Sequence, residues 1–165
     1  MSANIFNEKT LEQIREIQNK YSGKKIGFTC SCFDILHCGH ALMLEDAKRN
    51  CDILVIGLQT DPTIDRDSKN RPIQEYEERM IMIKAIRYVD EVIEYATEDD
   101  LMSILETLNP NVRTIGTDWQ GKEYTGYKLP IQMHWHSRDH DWSTSYLRKR
   151  VFLAEAKKRG IDVNE

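Results

Sequence analysis

The chain has 165 residues, 40% of them hydrophobic and 30% charged, with a net charge of −4 and a pI near 5.8. This length predicts a single domain over residues 1–165, with no room for a second catalytic domain. The acidic balance excludes a general basic surface for nucleic acid or anionic lipid, and no apolar run approaches the roughly 20 residues of a membrane span.

The N-terminal segment predicts an amphipathic helix. In residues 8–20, the apolar residues Leu11, Ile14 and Ile17 recur three positions apart on one face. We expect residues 1–23 to form a helical extension that packs on the domain, with a surface between two copies of a homodimer as the alternative. The first ten residues have neither the basic nor the apolar region of a secretory signal, so we expect a cytoplasmic protein.

Residues 24–49 predict a strand, a tight turn and a helix. The run CDILVIGLQ that follows is continuously apolar, as in a strand buried on both faces of a parallel sheet. The next segment, residues 60–73, is polar and contains two prolines, which is typical of a loop over a site.

The second half of the chain continues to alternate helices with strands. We predict helices over residues 74–89, 97–109 and 143–160 and strands over residues 90–95, 111–116 and 131–136. This order predicts an α/β fold, Rossmann-like and doubly wound, with a five-stranded parallel sheet and helices on both faces. Ligands of such sheets bind at the carboxyl ends of the strands.

The joint between the first strand and the second helix has the features of an anion site. His37 and His40 are three positions apart on the first helical turn, and Gly39 has no side chain to keep a phosphate from the backbone. A helix start also offers unpaired N–H groups and the positive end of the helix dipole. The pattern favours a polyphosphate site over two ordinary surface histidines.

A zinc site is the other interpretation of this segment. The candidate ligands crowd into eleven positions and are Cys30, Cys32, His37, Cys38 and His40. Structural zinc sites pair their ligands across a longer loop, and a free Cys inside an apolar strand behaves as a small hydrophobe. We therefore expect free thiols and no metal ligand from the protein.

The start of the last helix is a second candidate anion site. Ser143, Thr144 and Ser145 would offer hydroxyls and backbone N–H groups to an anion, with plain N-capping by Ser143 as the alternative. A capping box would need Glu or Gln where Tyr146 stands, so we expect this end to be free for an external anion.

Two arginines and two histidines have competing interpretations. Arg79 and Arg87 are eight positions apart on one predicted helix, so both are candidates for phosphate contact, with surface pairing to Glu75 as the alternative for Arg79.

His134 and His136 share one face of the last strand, but zinc would need ligands that the sequence does not place, so we expect a structural role.

Four of these segments together resemble a known family. FDILHCGH looks like the HxGH signature of the cytidylyltransferase-like nucleotidyltransferases, and three segments follow in the family's order. They are EERMIMIKAIRYVDEVI, GTDWQG, and Arg138 with the Ser-Thr-Ser of residues 143–145. The resemblance covers about residues 25–150 and is strongest to the glycerol-3-phosphate cytidylyltransferases. KNRPIQEYEERM with FDILHCGH also looks like the heptose-phosphate adenylyltransferases, whereas GTDWQG favours the former.

The resemblance implies transfer of CMP from CTP to a small phosphomonoester such as glycerol 3-phosphate, with release of pyrophosphate. Mg²⁺ would be bound mainly through the nucleotide phosphates. An adenylyltransferase for a heptose phosphate and a catalytically silent nucleotide-binding module are the alternatives. The implied partners are thus a nucleotide and a small phosphate ester, and neither nucleic acid nor membrane.

The resemblance also implies roles for individual residues. The implied catalytic residues are His37, His40 and Arg138. The implied nucleotide contacts are Cys32, Phe33, Gly39, Lys69, Arg71, Asp118, Trp119, Arg138, Ser143, Thr144 and Ser145. Asp61, Arg79 and Arg87 are expected to bind the acceptor. The chain departs from the family at Ser31-Cys32, where relatives have Gly-Thr or Gly-Val, and the basic residues of the loop are shifted by one position.

Overall fold

A five-stranded parallel sheet forms the centre of the protein, and the computed structural model describes residues 4–162. The strands are β1 (Ile26–Ser31), β2 (Ile53–Gln59), β3 (Glu91–Tyr95), β4 (Val112–Gly116) and β5 (Gln132–His136). Their order is β3-β2-β1-β4-β5, and every neighbouring pair is parallel. The order reverses between β1 and β4, so a crevice opens at the carboxyl ends of these strands. The predicted fold is confirmed.

Within the described residues, five helices connect or flank the strands. They are α1 (Glu8–Lys20), α2 (Cys38–Arg49), α3 (Tyr76–Lys84), α4 (Glu98–Leu108) and α5 (Thr144–Lys158), with 3₁₀ turns at Pro62–Ile64 and Thr117–Trp119. Thr97 caps α4, as predicted, in a reciprocal pair with Asp100. No helix within residues 4–162 is long and apolar enough to cross a membrane.

The sheet buries an apolar cluster on each face. On one face, α1 and α4 pack against β1–β3; on the other, α2 and α3 cover β2 and the end of β1. Ile14 and Ile17 of α1 are buried in the first cluster. The N-terminal helix therefore packs on its own sheet, as the pattern predicted.

The predicted helix over residues 74–89 is wrong at its C-terminal end. α3 stops at Lys84, and the chain then turns before β3 begins. In this turn the N–H of Ile86 donates to the carbonyl of Ile83, and the N–H of Val89 donates to the carbonyl of Ile86. Ile86 and Val89 pack into the apolar cluster under α2, which draws the chain out of the helical path. Arg79 and Arg87 consequently do not share one helix face.

Candidate active site

A cleft of about 930 Å³ lies at the carboxyl ends of the strands, between the starts of α2 and α5. It brings together most of the predicted residues, namely Cys32, His37, Gly39, His40, Lys69, Trp119, Arg138, Ser143, Thr144 and Ser145. Phe33, Arg71 and Asp118 lie next to this lining, and Asp61, Arg79 and Arg87 lie outside it.

The turn from β1 into α2 has an unusual backbone. Phe33 and Ile35 have φ angles of 48° and 46°, in the left-handed region that non-glycine residues rarely adopt. Asp34 between them is buried, and its Oδ1 accepts hydrogen bonds from the N–H groups of Ile73 and Gln74, both at 3.0 Å. These bonds tie the strained turn to the end of the long loop and fix the entry into α2.

His37 and His40 cap the start of α2 with one nitrogen each. Nδ1 of His37 accepts from the N–H of Gly39 at 3.1 Å, and Nδ1 of His40 accepts from the N–H of His37 at 3.4 Å. A neutral imidazole that accepts at Nδ1 carries its proton on Nε2. Both rings therefore present an Nε2–H donor that the cap does not use.

Burial keeps both rings neutral. It lowers the pKa of His40 from 6.5 to about 3, with further contributions from His37 and Arg138. Burial also lowers the pKa of His37, helped by the neighbouring His140 and Arg138. At neutral pH the pair consists of two uncharged hydrogen-bond donors, which suits contacts to the oxygens of a phosphate chain.

Gly39 allows the loop before α5 to approach the start of α2. A Cβ at this position would lie 2.9 Å from the carbonyl oxygen of Trp142 and 3.0 Å from Cε1 of His140. No larger residue fits without moving backbone. The two predicted anion sites are thus parts of one cleft.

Ser143 corrects one expectation about α5. Its hydroxyl accepts from the N–H of Tyr146 at 3.2 Å, so it caps the helix instead of staying free for an anion. The hydroxyl of Thr144 donates to the carbonyl of Asp34 at 3.2 Å and lies 3.4 Å from Nε2 of His37. Thr144 thereby connects the start of α5 to the histidine pair.

Two further arginines face the cleft. Arg138 lines it with 58% of its side chain exposed, and its Nε lies 3.7 Å from Oδ1 of Asp118. Arg148 of α5 also lines the cleft and lies 3.5 Å from Oδ2 of Asp34. Arg148 was not predicted from the sequence, although its place four residues after Thr144 puts it on the same face of α5.

The expected role of Arg79 in binding the acceptor phosphate does not fit its surroundings. The residue is 2% exposed, and its guanidinium donates to the carbonyls of Cys32, Gln59, Thr60 and Gln74. These bonds hold the ends of β1 and β2 to the start of α3. The donors are used by the fold itself, so a second ligand would have to displace backbone.

Arg87, Asp61 and Arg71 are also not among the residues that line the cleft. Arg87 donates to the hydroxyl of Tyr88 beyond the end of α3. Asp61 accepts from the N–H and hydroxyl of Thr63 at 2.9 and 2.7 Å, which caps the short 3₁₀ turn. Arg71 is highly exposed, with Nε 3.7 Å from Oδ2 of Asp61. Of the loop's predicted basic contacts, Lys69 alone is placed in the lining.

Two further histidines, His136 and His140, also line the cleft. His140 stacks on Trp142, and His136 contacts a carboxylate of α2. The four cysteines are free, and the described part of the chain contains no group of three or more His, Cys, Asp or Glu side chains placed to hold a metal ion.

Comparison with known proteins gives the family. The model of the cytidylyltransferase-like family matches residues 28–150. The HldE bifunctional protein of Campylobacter curvus is 35% identical over 144 residues, which is 87% of this chain and 31% of that protein. The HldE bifunctional protein of Helicobacter pylori is 34% identical over 145 residues, again 87% of this chain but 30% of the relative. The chain thus spans about a third of the length of these curated relatives.

Solved structures agree on the fold. A lipopolysaccharide core biosynthesis protein from Thermoplasma volcanium is 25% identical with a TM-score of 0.52, and the match covers 86% of this chain and 93% of that one. Pantothenate synthetase from Thermus thermophilus has a TM-score of 0.58 at 15% identity, over 89% of this chain and 75% of that one. With the family model matching most of its length, this chain belongs to the cytidylyltransferase-like nucleotidyltransferases.

Proposed function

We propose that this nucleotidyltransferase transfers a nucleoside monophosphate from a nucleoside triphosphate to a small phosphomonoester. The observation that carries the proposal is the pair of neutral Nε2–H donors at His37 and His40, opposite the start of α5. Together with Arg138, this cleft offers donors from several directions and room for both substrates.

The chemistry needs no nucleophilic side chain. A phosphomonoester has its second pKa near ~6 and is already a dianion at neutral pH. One of its oxygens attacks the α-phosphorus, a new P–O bond forms, and the bond to the bridging oxygen of the β-phosphate breaks to release pyrophosphate. The protein has to hold two anions in line and stabilise charge on the transferring and leaving groups.

Individual residues fit these tasks. His37 and His40 would donate from Nε2 to oxygens of the transferring phosphate, and Arg138 would supply a mobile positive charge. The first N–H groups of α5 have no partners within the helix and would hold the distal phosphates. Lys69, which also lines the cleft, would neutralise charge on the same phosphate chain.

The carboxylates of the cleft fit a metal carried by the nucleotide. Of the carboxylates that line or border the cleft, Asp34 accepts from two backbone N–H groups, Glu98 pairs with Arg66, Glu123 accepts from Tyr127, and Asp118 lies beside Arg138. Such a donor set would leave Mg²⁺ bound through the triphosphate and water, as this ion is commonly held in phosphoryl-transfer sites. When bound there, Mg²⁺ would neutralise charge on the phosphates.

For the substrates, the relatives favour the heptose-phosphate adenylyltransferase interpretation over the glycerol-3-phosphate cytidylyltransferase interpretation. The matched proteins named HldE and the lipopolysaccharide core biosynthesis protein support ATP and a heptose-type sugar phosphate. CTP with glycerol 3-phosphate is the second candidate, favoured by the GTDWQG segment, in which Trp119 lines the cleft with 37% of its surface exposed.

The test is pyrophosphate release from four nucleoside triphosphates, each combined with sugar, polyol and amino-alcohol phosphates in the presence of Mg²⁺. The proposal expects one pair to exceed the others strongly in kcat/KM, because a site that hydrogen-bonds particular hydroxyls rejects analogues lacking them. ATP with a heptose phosphate is the expected pair. Nucleotide binding without turnover of any pair would instead indicate a silent nucleotide-binding module.

A further inference from the structure

Two histidines of β5 share one carboxylate of α2. Nε2 of His134 lies 2.9 Å and Nδ1 of His136 lies 2.8 Å from the same oxygen, Oδ2 of Asp46. His134 and His136 are on the same sheet face, so one acidic residue on the facing helix can reach both. Asp46 comes from a segment about 90 positions earlier in the chain.

The shared contact fixes which nitrogens carry protons. Burial raises the pKa of Asp46, but the hydrogen bonds from His136 and His134 outweigh burial and lower it overall. An ionised carboxylate only accepts hydrogen bonds, so both rings must donate to it. A neutral His136 ring therefore carries its proton on Nδ1 and has a lone pair on Nε2.

This second nitrogen is buried and has no use in the fold. His136 is 8% exposed, and its Nε2 has no hydrogen-bond partner among residues 4–162. Buried polar atoms are normally paired, and leaving one unpaired costs free energy. His134 and the Nδ1 of His136 already tie β5 to α2, so packing does not require a free Nε2.

His136 lies at the cleft in which substrate binding is proposed. His136 is the last residue of β5, pairs in register with Gly116 at the end of β4, and lies two positions before Arg138. It lines the same cleft as His37 and His40. An acceptor at this position would complement the donors that His37, His40 and Arg138 bring to the same cleft.

We infer that His136, oriented by Asp46, is a specificity-determining residue whose Nε2 accepts a hydrogen bond from a hydroxyl or amino group of the bound substrate. The inference rests on the proposed function. The donor belongs either to the nucleotide, as a ribose hydroxyl or an exocyclic amine, or to a hydroxyl of the phosphomonoester. Asp46 does not touch substrate and acts as a positioning residue through His136.

The test compares two variants that differ in the cleft-facing atom. His136→Asn keeps a donor near the position of Nδ1 for Asp46 and removes the acceptor, whereas His136→Gln places a carbonyl oxygen near the position of Nε2. We expect His136→Asn to raise KM for one substrate about 5- to 10-fold with little change in kcat, the scale of one lost hydrogen bond. His136→Gln should recover most of this loss, and thermal melts identify any variant that fails to fold.

Substrate analogues identify the donor. If the nucleotide supplies it, a 2′-deoxy, 3′-deoxy or deaminated triphosphate should bind the parent more weakly than the normal nucleotide does. The His136→Asn variant should bind the analogue and the normal nucleotide equally well. If the acceptor supplies it, the same pattern appears with deoxy sugar phosphates. Asp46→Asn should mimic His136→Asn, because an amide can donate to Nδ1 and move the ring proton to Nε2.

The outcomes separate the two proposals. An active parent whose KM values are the same in His136→Asn overturns the inference and leaves the proposed function standing. A folded His136→Asn variant that loses activity without recovery in His136→Gln also overturns it. If the parent turns over no substrate pair, the proposed function fails, and the inference fails with it.

Discussion

The imidazole rings of His37 and His40 stack with their centroids 3.9 Å apart at the first turn of α2. Two charged rings would repel each other at this distance, and the burial that lowers both pKa values keeps them neutral instead. Each ring uses Nδ1 to cap the helix and keeps Nε2–H for the cleft. One short segment thus starts the helix and supplies the donors of the site.

The first prediction removes these donors without removing the caps. His37→Asn and His40→Asn keep an oxygen near the position of Nδ1 and lose Nε2–H. Each variant should lower kcat by roughly 10²- to 10³-fold, the scale for losing one transition-state donor, with an unchanged circular dichroism spectrum. Cys38→Ser, at the exposed position between them, is the control and should keep the parent rate. Rates within a few-fold of the parent would refute the assignment.

The second prediction concerns Arg138. Within residues 4–162, the one ion pair of its exposed guanidinium is a 3.7 Å approach to Asp118, so substrate phosphates can recruit it at little cost. Arg138→Ala should lower kcat/KM for the nucleotide by about 10- to 100-fold, as expected for a charge-assisted hydrogen bond. Lys149→Ala, which removes the same charge from an exposed position of α5, is the control. Equal kinetics for the two variants would place the triphosphate elsewhere.

The cap at Ser143 allows a companion experiment. Replacing an N-cap serine by glycine costs only a few tenths of a kcal/mol, whereas alanine costs about 1 kcal/mol. Ser143→Gly therefore removes the hydroxyl with the helix start preserved. Because the hydroxyl already accepts from Tyr146, we expect a nucleotide KM close to that of the parent. A large increase in KM would show that the hydroxyl leaves the cap to bind phosphate.

The third prediction separates the two arginines that the sequence grouped together. Arg79→Ala leaves four backbone carbonyls at the ends of β1, β2 and the loop without their donor. We expect it to lower the free energy of unfolding by about 3–5 kcal/mol in urea denaturation. Arg87→Ala should change neither stability nor KM measurably, since it loses one contact to Tyr88 at the surface. A stable Arg79→Ala protein with a raised acceptor KM would restore the role predicted from sequence.

The sequence predicted those parts of the fold that depend on local patterns. Continuous apolar runs identified β2 and its neighbours, and Thr97 marked the start of α4 because capping residues are chemically distinctive. The end of α3 was missed because Ile86 and Val89 pack into a distant cluster, and no residue before them signals a stop.

The sequence predicts those candidate site residues that lie close together in the chain. His37, Gly39 and His40 lie on a single turn, so their spacing is informative. The contact of Asp46 with His136 joins residues 90 positions apart, and the four carbonyl partners of Arg79 come from three segments. Such contacts exist only after the sheet has formed. Spacing along the chain therefore could not distinguish a buried structural arginine from a phosphate ligand.

His40 makes the stability of the fold depend on pH. Its pKa in the folded protein is about 3 against 6.5 for the free side chain, so between these values the unfolded chain binds a proton that the folded chain does not. The free energy of unfolding should therefore fall as the pH is lowered from 6.5 towards 3, by up to about 1.4 kcal/mol per pH unit from this group.

Urea denaturation at intervals from pH 7 to pH 4 measures this slope. His40→Asn cannot take up the proton, so its stability should fall less steeply over the same interval than that of the parent. Parallel slopes for the two proteins would mean that His40 is free to become charged in the fold.

The most direct test of nucleotidyl transfer follows the labelled α-phosphate of the nucleoside triphosphate. With the preferred phosphomonoester and Mg²⁺, we expect the label to appear in a nucleoside-diphosphate-linked product, in a 1:1 ratio to released pyrophosphate. The His37→Asn and His40→Asn variants should reduce both products equally. Label that appears only in free nucleoside mono- or diphosphate, with or without the acceptor, would show that the cleft hydrolyses or merely binds nucleotide and would contradict nucleotidyl transfer.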